Sequence, residues 1–357
     1  MGRRVTRCII LVAVTVGCSR PPDLAPAAAG AGESVQPKGD RWLGFGVTTG
    51  ALEYDAAFGE AKRLGLQFLE LPQQWNEAHP AAARFDTPFV AMANRVYPPA
   101  DTALVLSLNP IDTSALRVPD RLAGKSFDAP EVVAEFCTFV DHVLAELSDV
   151  KILAVSVGNE VDAYLGDDPA KWAAYRAFFD AVASHIRKVR PGVPVGVKMT
   201  RAAVVGVHRD RAAELNRSAD VVMATYYALA DDFTVRMPAE VGGHVAELCA
   251  AADGKPVYLL ETGFPSGTAN DSSEVLQAEF VSAVFLAWDR HAGQLQAVNF
   301  VWLHDLSDKE VATLSAYYGQ TMPTFASFLG SLGLKTYDGR PKAALKRLGR
   351  EAAARGW

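Results

Sequence analysis

Two short motifs, Val157-Gly158-Asn159-Glu160 and Leu260-Glu261-Thr262-Gly263-Phe264-Pro265, each set a glutamate just past an apolar, β-like run. Hydrolysis of a glycosidic bond needs two carboxyl groups facing one another across the anomeric carbon. One is protonated and donates to the leaving oxygen; the other is ionised and attacks carbon or activates water. A carboxyl gap of ~5 Å predicts a nucleophile and retention, whereas ~6.5–9.5 Å leaves room for water and predicts inversion. Either glutamate alone reads as well as an acid at a helix N-terminus, where it favours the dipole. The pair, each in its motif and past a strand, favours catalysis.

Other chemistries find less support in the chain. Ser266 lies close to Glu261, but no Gly-x-Ser-x-Gly elbow surrounds it. The seven histidines are scattered, with no His-x-His or His-Glu-x-x-His array, so no metal and no cofactor is expected. Cys137 and Cys249 fall in apolar-patterned helical segments and are expected to be free, buried thiols. A formal net charge of −6 shows no basic excess, which disfavours nucleic acid and anionic surfaces and suits a neutral, soluble substrate.

The elements needed to bring the two glutamates together are visible in the alternation of short and long apolar runs. Strands are expected at Leu43–Val47, Gln67–Leu71, Ala103–Leu108, Lys151–Val157, Pro194–Lys198, Val221–Thr225, Pro256–Glu261 and Ala297–Trp302. Helical periodicity is clearest over Ala129–Leu147, Pro169–Val189, Pro238–Ala252 and Ser272–His291. Asp168-Pro169 and Ser272-Ser273-Glu274 supply helix starts, and Pro191-Gly192 a stop. Eight strands with a helix after most of them predict an α/β fold, a single-domain (β/α)8 TIM barrel, in which functional groups gather at the C-terminal strand ends. An open doubly wound sheet is the rival, but Gly44-Phe45-Gly46-Val47-Thr48-Thr49-Gly50 lacks the spacing of a phosphate-binding turn. Leu303–Met322 is long for a βα loop and is expected to lie over the mouth of the barrel. Trp75, His304 and Asp305 follow strand ends and are candidate sugar contacts, since aromatic faces stack on sugar rings and polar groups bind hydroxyls.

The N-terminus reads as an export signal: Arg3, Arg4 and Arg7, an apolar run from Cys8 to Val16, then Gly17-Cys18-Ser19. That run is too short to span a bilayer. Thr15-Val16-Gly17-Cys18 resembles a bacterial lipobox, with Thr15 in place of the usual leucine, which implies lipidation at Cys18 and anchoring in the cell envelope. The competing expectation is cleavage within Ala27 to Ala31 and free secretion. Residues 1–18 thus form the signal, 19–40 a Pro-, Ala- and Gly-rich tether, and 41–357 the barrel.

Val157-Gly158-Asn159-Glu160 on the fourth strand and Glu261-Thr262-Gly263-Phe264-Pro265 on the seventh resemble the signatures of the clan of retaining (β/α)8 glycoside hydrolases. Within it they are most similar to endo-β-1,3-glucanases and endo-β-1,4-galactanases. The resemblance implies that Glu160 is the general acid/base, that Glu261 is the nucleophile, and that Asn159 binds the sugar 2-hydroxyl. It implies that a tyrosine of Ala224-Thr225-Tyr226-Tyr227 hydrogen-bonds the nucleophile; strand alternation lets only one of Tyr226 and Tyr227 point inward, and Tyr227 is favoured. It also implies that Trp302, in Phe300-Val301-Trp302, forms an aromatic floor under the sugar. Lys335-Thr336-Tyr337-Asp338-Gly339-Arg340-Pro341-Lys342 resembles the segment before the clan's last helix. One departure stands out: the arginine that many members carry near the end of the second strand has no counterpart in Leu69-Glu70-Leu71-Pro72-Gln73-Gln74-Trp75. The expected activity is hydrolysis of a β-linked oligo- or polysaccharide by double displacement. The alternative is a glycan-binding cell-surface lipoprotein with a catalytically reduced barrel.

Overall fold

The computed structural model describes residues 35–357; Cys18, the signal and most of the tether lie outside the described residues. Nine parallel strands form one sheet curled into a nearly closed barrel, ringed by helices. In chain order the strands are β1 (Trp42–Phe45), β2 (Phe68–Gln74), β3 (Ala103–Asp112), β4 (Ala115–Leu116), β5 (Ile152–Asn159), β6 (Val195–Gly196), β7 (Lys198–Thr200), β8 (Val222–Tyr227), β9 (Val257–Gly263) and β10 (Leu295–Phe300). β4 is the exception to parallel pairing, folding back antiparallel on β3. The remaining strands pair in the order β6-β5-β3-β2-β1-β10-β9-β8-β7. β6 and β7 are one stave interrupted at Val197, so eight staves close the barrel, one for each expected strand.

Period-2 alternation divides each stave between two cores. Phe68, Val105, Ala154, Met223, Tyr258 and Leu260 meet inside the barrel and plug its floor. The alternate residues, such as Leu104, Leu106, Val155, Val157 and Leu259, pack outward against the helices in a much larger cluster. That filled interior leaves space only above the plug, at the C-terminal strand ends.

The helix at Pro169–Val189 starts as expected, with Asp168 Oδ1 accepting from the Ala170 amide at 2.9 Å and proline in its first turn. The expected helix Pro238–Ala252 is divided into a 3-10 turn, Pro238–Glu240, and an α-helix, Val241–Ala251. The long segment after β10 forms two helices, Asp308–Tyr317 and Pro323–Ser331, that roof the mouth. Cys137 and Cys249 are both free thiols, half-buried and buried.

Candidate active site

Glu160 and Glu261 open into one cavity at the mouth, each held by donors from neighbouring strands. Glu160 sits one residue past β5 with φ +43°, a left-handed conformation that costs a non-glycine residue energy and recurs where function demands it. Its Oε1 accepts from Thr225 Oγ1 on β8 at 2.6 Å, and its Oε2 from Thr113 Oγ1, between β3 and β4, at 3.1 Å. Burial, followed by the like charge of Glu261, pushes Glu160 up to about 7, so its proton is retained well above the ordinary carboxyl range.

The turn that delivers Glu160 depends on the glycine of its motif. Gly158 has φ +88°, and a Cβ there would lie 2.4 Å from Val161 Cγ1 and 2.5 Å from the Tyr175 hydroxyl, which itself donates to the Val157 carbonyl. Gly158→Ala is therefore expected to lower stability by about 2–4 kcal/mol, from the left-handed backbone and the overpacking together. Denaturant unfolding checks this; a midpoint equal to that of the wild type would refute the packing argument.

Glu261 reaches the site through a bulge. Tyr258 and Leu260 already face the barrel interior, so strict alternation would turn Glu261 outward. The register slips between Leu259 and Glu261, pairing Ala224 with Leu259 but Thr225 with Glu261, and this re-aims the carboxylate into the mouth. Lys198 Nζ on β7 donates to Oε1 at 2.9 Å and the Tyr227 hydroxyl to Oε2 at 2.8 Å. Two donors, one an ammonium, are the surroundings of an ionised carboxylate. Tyr227 is raised well above the usual phenol range by burial and then by the charge of Glu261, so it stays a donor.

Lys198 also donates to Glu70 Oε1 on β2, which accepts a further bond from Ser107 Oγ at 2.5 Å. Desolvation pulls the Lys198 ammonium down, but attraction to Glu261 and Glu70 outweighs it and raises the group. Where the second strand carries no arginine, a lysine from the fifth stave reaches Glu261, with a second-strand carboxylate beside it.

A polar cavity of about 430 Å³ adjoins Glu261 on the side of β1 to β3. Asn159 Nδ2 donates to Asp112 Oδ1 at 2.7 Å; Gln74 Nε2 and the Tyr317 hydroxyl donate to Asp112 Oδ2 at 2.9 and 2.8 Å. Four amide oxygens on residues of its wall, Gln74 Oε1, Asn109 Oδ1, Asn159 Oδ1 and Asn299 Oδ1, are buried without a partner. Those oxygens are shut off from the cavity surface; the side chains that line it, Glu70, Gln74, Asn109, Asp112, Asn159 and Lys198, are of the polar kind that binds sugar hydroxyls. Trp302 lines this cavity and the one holding Glu160, on either side of Glu261.

Four of the candidates lie elsewhere. Tyr226 faces outward, its hydroxyl 2.9 Å from His244 Nδ1, as alternation with Tyr227 requires. Trp75 is wholly buried, edge-on to Phe136 with ring centroids 4.9 Å apart, because the chain turns into a short helix directly after β2. His304 is wholly buried and its Nδ1 is hydrogen-bonded to the Thr48 carbonyl at 2.8 Å. Asp305 pairs with Lys342 Nζ at 2.7 Å and accepts from the Gly333 amide, tying down the end of the roof segment. None of these four lines the mouth cavities.

Sequence reasoning missed Thr113, Thr225, Lys198, Glu70, Asp112, Tyr317 and Tyr318. Thr225 was within reach, two residues before Tyr227 and so on the same face, and Lys198 is a lone cation at the end of an apolar run. Tyr317 and Tyr318 come from the roof, whose path no periodicity reveals. Among the described residues, no group of three or more His, Cys, Asp or Glu side chains is placed to hold a metal ion.

No family model matches this sequence, and no curated protein matches it. Solved structures do resemble it. GH5_18 from Streptomyces cattleya in complex with GlcNAc aligns at TM-score 0.69 and 18% identity, covering 90% of this chain and 80% of that one. GH5_18 from Bifidobacterium longum, carrying a substitution and in complex with Manβ1-4GlcNAc, aligns at 0.67 and 19%, covering 88% and 78%. An exo-β-1,4-mannosidase from an Opitutaceae bacterium aligns at 0.69 and 18%, covering 88% and 59%. At these identities the likeness establishes the (β/α)8 fold. The finer resemblance to endo-β-1,3-glucanases and endo-β-1,4-galactanases finds no support among the three.

Proposed function

We propose that this protein is a retaining glycoside hydrolase acting on a β-linked glycoside, with Glu261 as nucleophile and Glu160 as general acid/base. The observation that carries the reading is the contrast between two carboxyl groups at one mouth. Glu160 is half-buried, accepts from the hydroxyls of Thr225 and Thr113 and is pushed up to about 7, whereas Glu261 is held by an ammonium and a phenol. An acid with a raised pKa beside a carboxylate bonded by an ammonium and a phenol matches the division of labour that glycoside hydrolysis requires.

In the first step a Glu261 oxygen bonds to the anomeric carbon as the bond to the leaving oxygen breaks, and Glu160 gives that oxygen its proton. In the second, Glu160 takes a proton from water as the water oxygen bonds to the anomeric carbon and the ester to Glu261 breaks. Asn159, beside Glu160 and tied to Asp112, is placed to bind the 2-hydroxyl. The (β/α)8 likeness to glycoside hydrolases supports this reading. Envelope anchoring through Cys18 remains part of the proposal, tested by whether radiolabelled palmitate is incorporated into the wild type and not into Cys18→Ala.

Activity should follow the protonated fraction of Glu160. Because its pKa is raised, the competent acid form is present at low pH and disappears as pH rises through about 7. The alkaline limb of kcat/KM on an aryl β-glycoside panel is expected there. Carbon-13 NMR should find the Glu160 titration displaced downward in Glu261→Gln, where the like charge is gone. An unmoved Glu160 titration would separate the two groups. Proton NMR of the first-formed product should show the β-anomer; an α-anomer would replace retention with inversion.

A further inference from the structure

Resting on the hydrolase reading, we infer that the leaving group of the substrate is an apolar alcohol, aryl or alkyl, and not a second sugar. The mouth is divided into two cavities of similar size, about 430 and 410 Å³, that share Glu261, Trp302 and Tyr318. What differs is the carboxyl partner. Asn159, with Gln74, Asn109, Asp112 and Lys198, lines the first; Glu160 lines the second. A general acid must stand beside the oxygen it protonates, so the leaving group lies on the Glu160 side and the glycone on the Asn159 side.

The Glu160 side is built from Leu229, Phe233, Leu314, Phe325 and Phe328, with Phe233 packed edge-on to Phe325 at 4.9 Å between ring centroids. Beyond the groups that serve or flank the carboxylates, its polar side chains among the described residues are Ser114 and Gln320. A second sugar would bring several hydroxyls to that wall and leave most of them without partners, at the cost of their desolvation. An aromatic or alkyl group gains from the same burial. The two sides are thus matched to the two ends of an amphiphilic glycoside: hydroxyl donors on the Asn159 side of Glu261, hydrocarbon on the Glu160 side.

Glycosyl fluorides separate this inference from the hydrolase reading. Fluoride departs without filling the apolar cavity, and the glycosyl-enzyme ester then partitions between water and an added acceptor. In transfer, the acceptor oxygen bonds to the anomeric carbon, Glu160 takes the acceptor's proton, and the Glu261 carboxylate is released. A panel of β-glucosyl, β-mannosyl, β-galactosyl and β-xylosyl fluorides is offered with equal concentrations of 2-phenylethanol and glucose.

The expected result is transfer to 2-phenylethanol over glucose by about 50-fold, the scale on which a hydrophobic pocket discriminates. Leu314→Gln and Phe233→Asn, the latter suited to the φ of +63° at that position, are expected to bring the ratio towards unity. Both products arise from one intermediate, so the ratio does not depend on how much variant folds. Equal or preferred transfer to glucose, or a ratio unmoved in both variants, overturns the inference while fluoride release leaves the hydrolase reading standing. No enzyme-dependent fluoride release from any donor overturns both.

Discussion

Glu261→Gly is expected to lower turnover of an activated aryl β-glycoside by about 10⁴-fold or more, because the step that forms the covalent intermediate loses its attacking atom. Sodium azide should restore much of that loss. In the space vacated by the carboxylate, azide enters from the face that Glu261 occupied, and the product is a glycosyl azide of inverted, α configuration. Glu160→Ala, assayed with the same substrate, should instead form its ester normally and stall at the second step, where azide intercepts it and gives the β-azide. The two variants thus yield opposite anomers from one reagent, read by proton NMR. Turnover of Glu261→Gly within tenfold of the wild type, or a β-azide from it, would remove Glu261 from the role of nucleophile. The assignment follows from the hydrogen bonds: Glu261 has Lys198 and Tyr227 on its oxygens, while Glu160 has, among the described residues, Thr225 and Thr113.

Lys198→Met should be the most destabilising conservative change near the site. Lys198 is 2% exposed and its ammonium bridges Glu70 and Glu261. Removing it leaves two carboxylates facing one another around an apolar side chain, and breaking one partner out of a buried ion pair costs about 3–5 kcal/mol. Glu70 is already raised by burial, and its proton uptake is one route by which the variant relieves the repulsion. Lys198→Met/Glu70→Gln should therefore recover part of the lost stability, since the amide no longer requires a cation. Denaturant unfolding of the four proteins closes the cycle. A single variant within about 1 kcal/mol of the wild type, or a double variant no better than the single, would show that packing rather than charge governs the position. The same cycle bears on function, because Lys198 is a positioning residue for Glu261: activity lost in the single variant should not return in the double one.

How much of this was legible beforehand depends on which interactions are local. The barrel was, because period-2 and period-3.6 patterns are written residue by residue, and each expected strand has its stave. Both glutamates were also found, since each lies in a compact motif at the C-terminal end of a strand. Alternation of side chains said that only one of Tyr226 and Tyr227 could face the mouth; that it is Tyr227 was decided by the tertiary structure. Trp75, His304 and Asp305 were misplaced for a single reason: position after a strand end does not say whether the next turn tips a side chain into the mouth or back into the wall.

The amino-acid sequence determined which faces are apolar, where the chain reverses, and that two acids lie at the C-terminal ends of the fourth and seventh staves. Those outcomes rest on short-range preferences of helix, strand and turn. Tertiary structure alone decided how the acids differ. The register slip at Leu260 turned Glu261 inward, β7 supplied its cation from a stave more than sixty residues away in sequence, and desolvation together with the like charge of Glu261 raised Glu160. The division of the mouth into a hydroxyl-seeking and an apolar side was likewise set by the roof, where Leu314, Tyr318, Phe325 and Phe328 arrive from a segment with no strand of its own. Electrostatics and cavity shape depend on distances between residues remote in the chain, and those distances exist only once the barrel has closed.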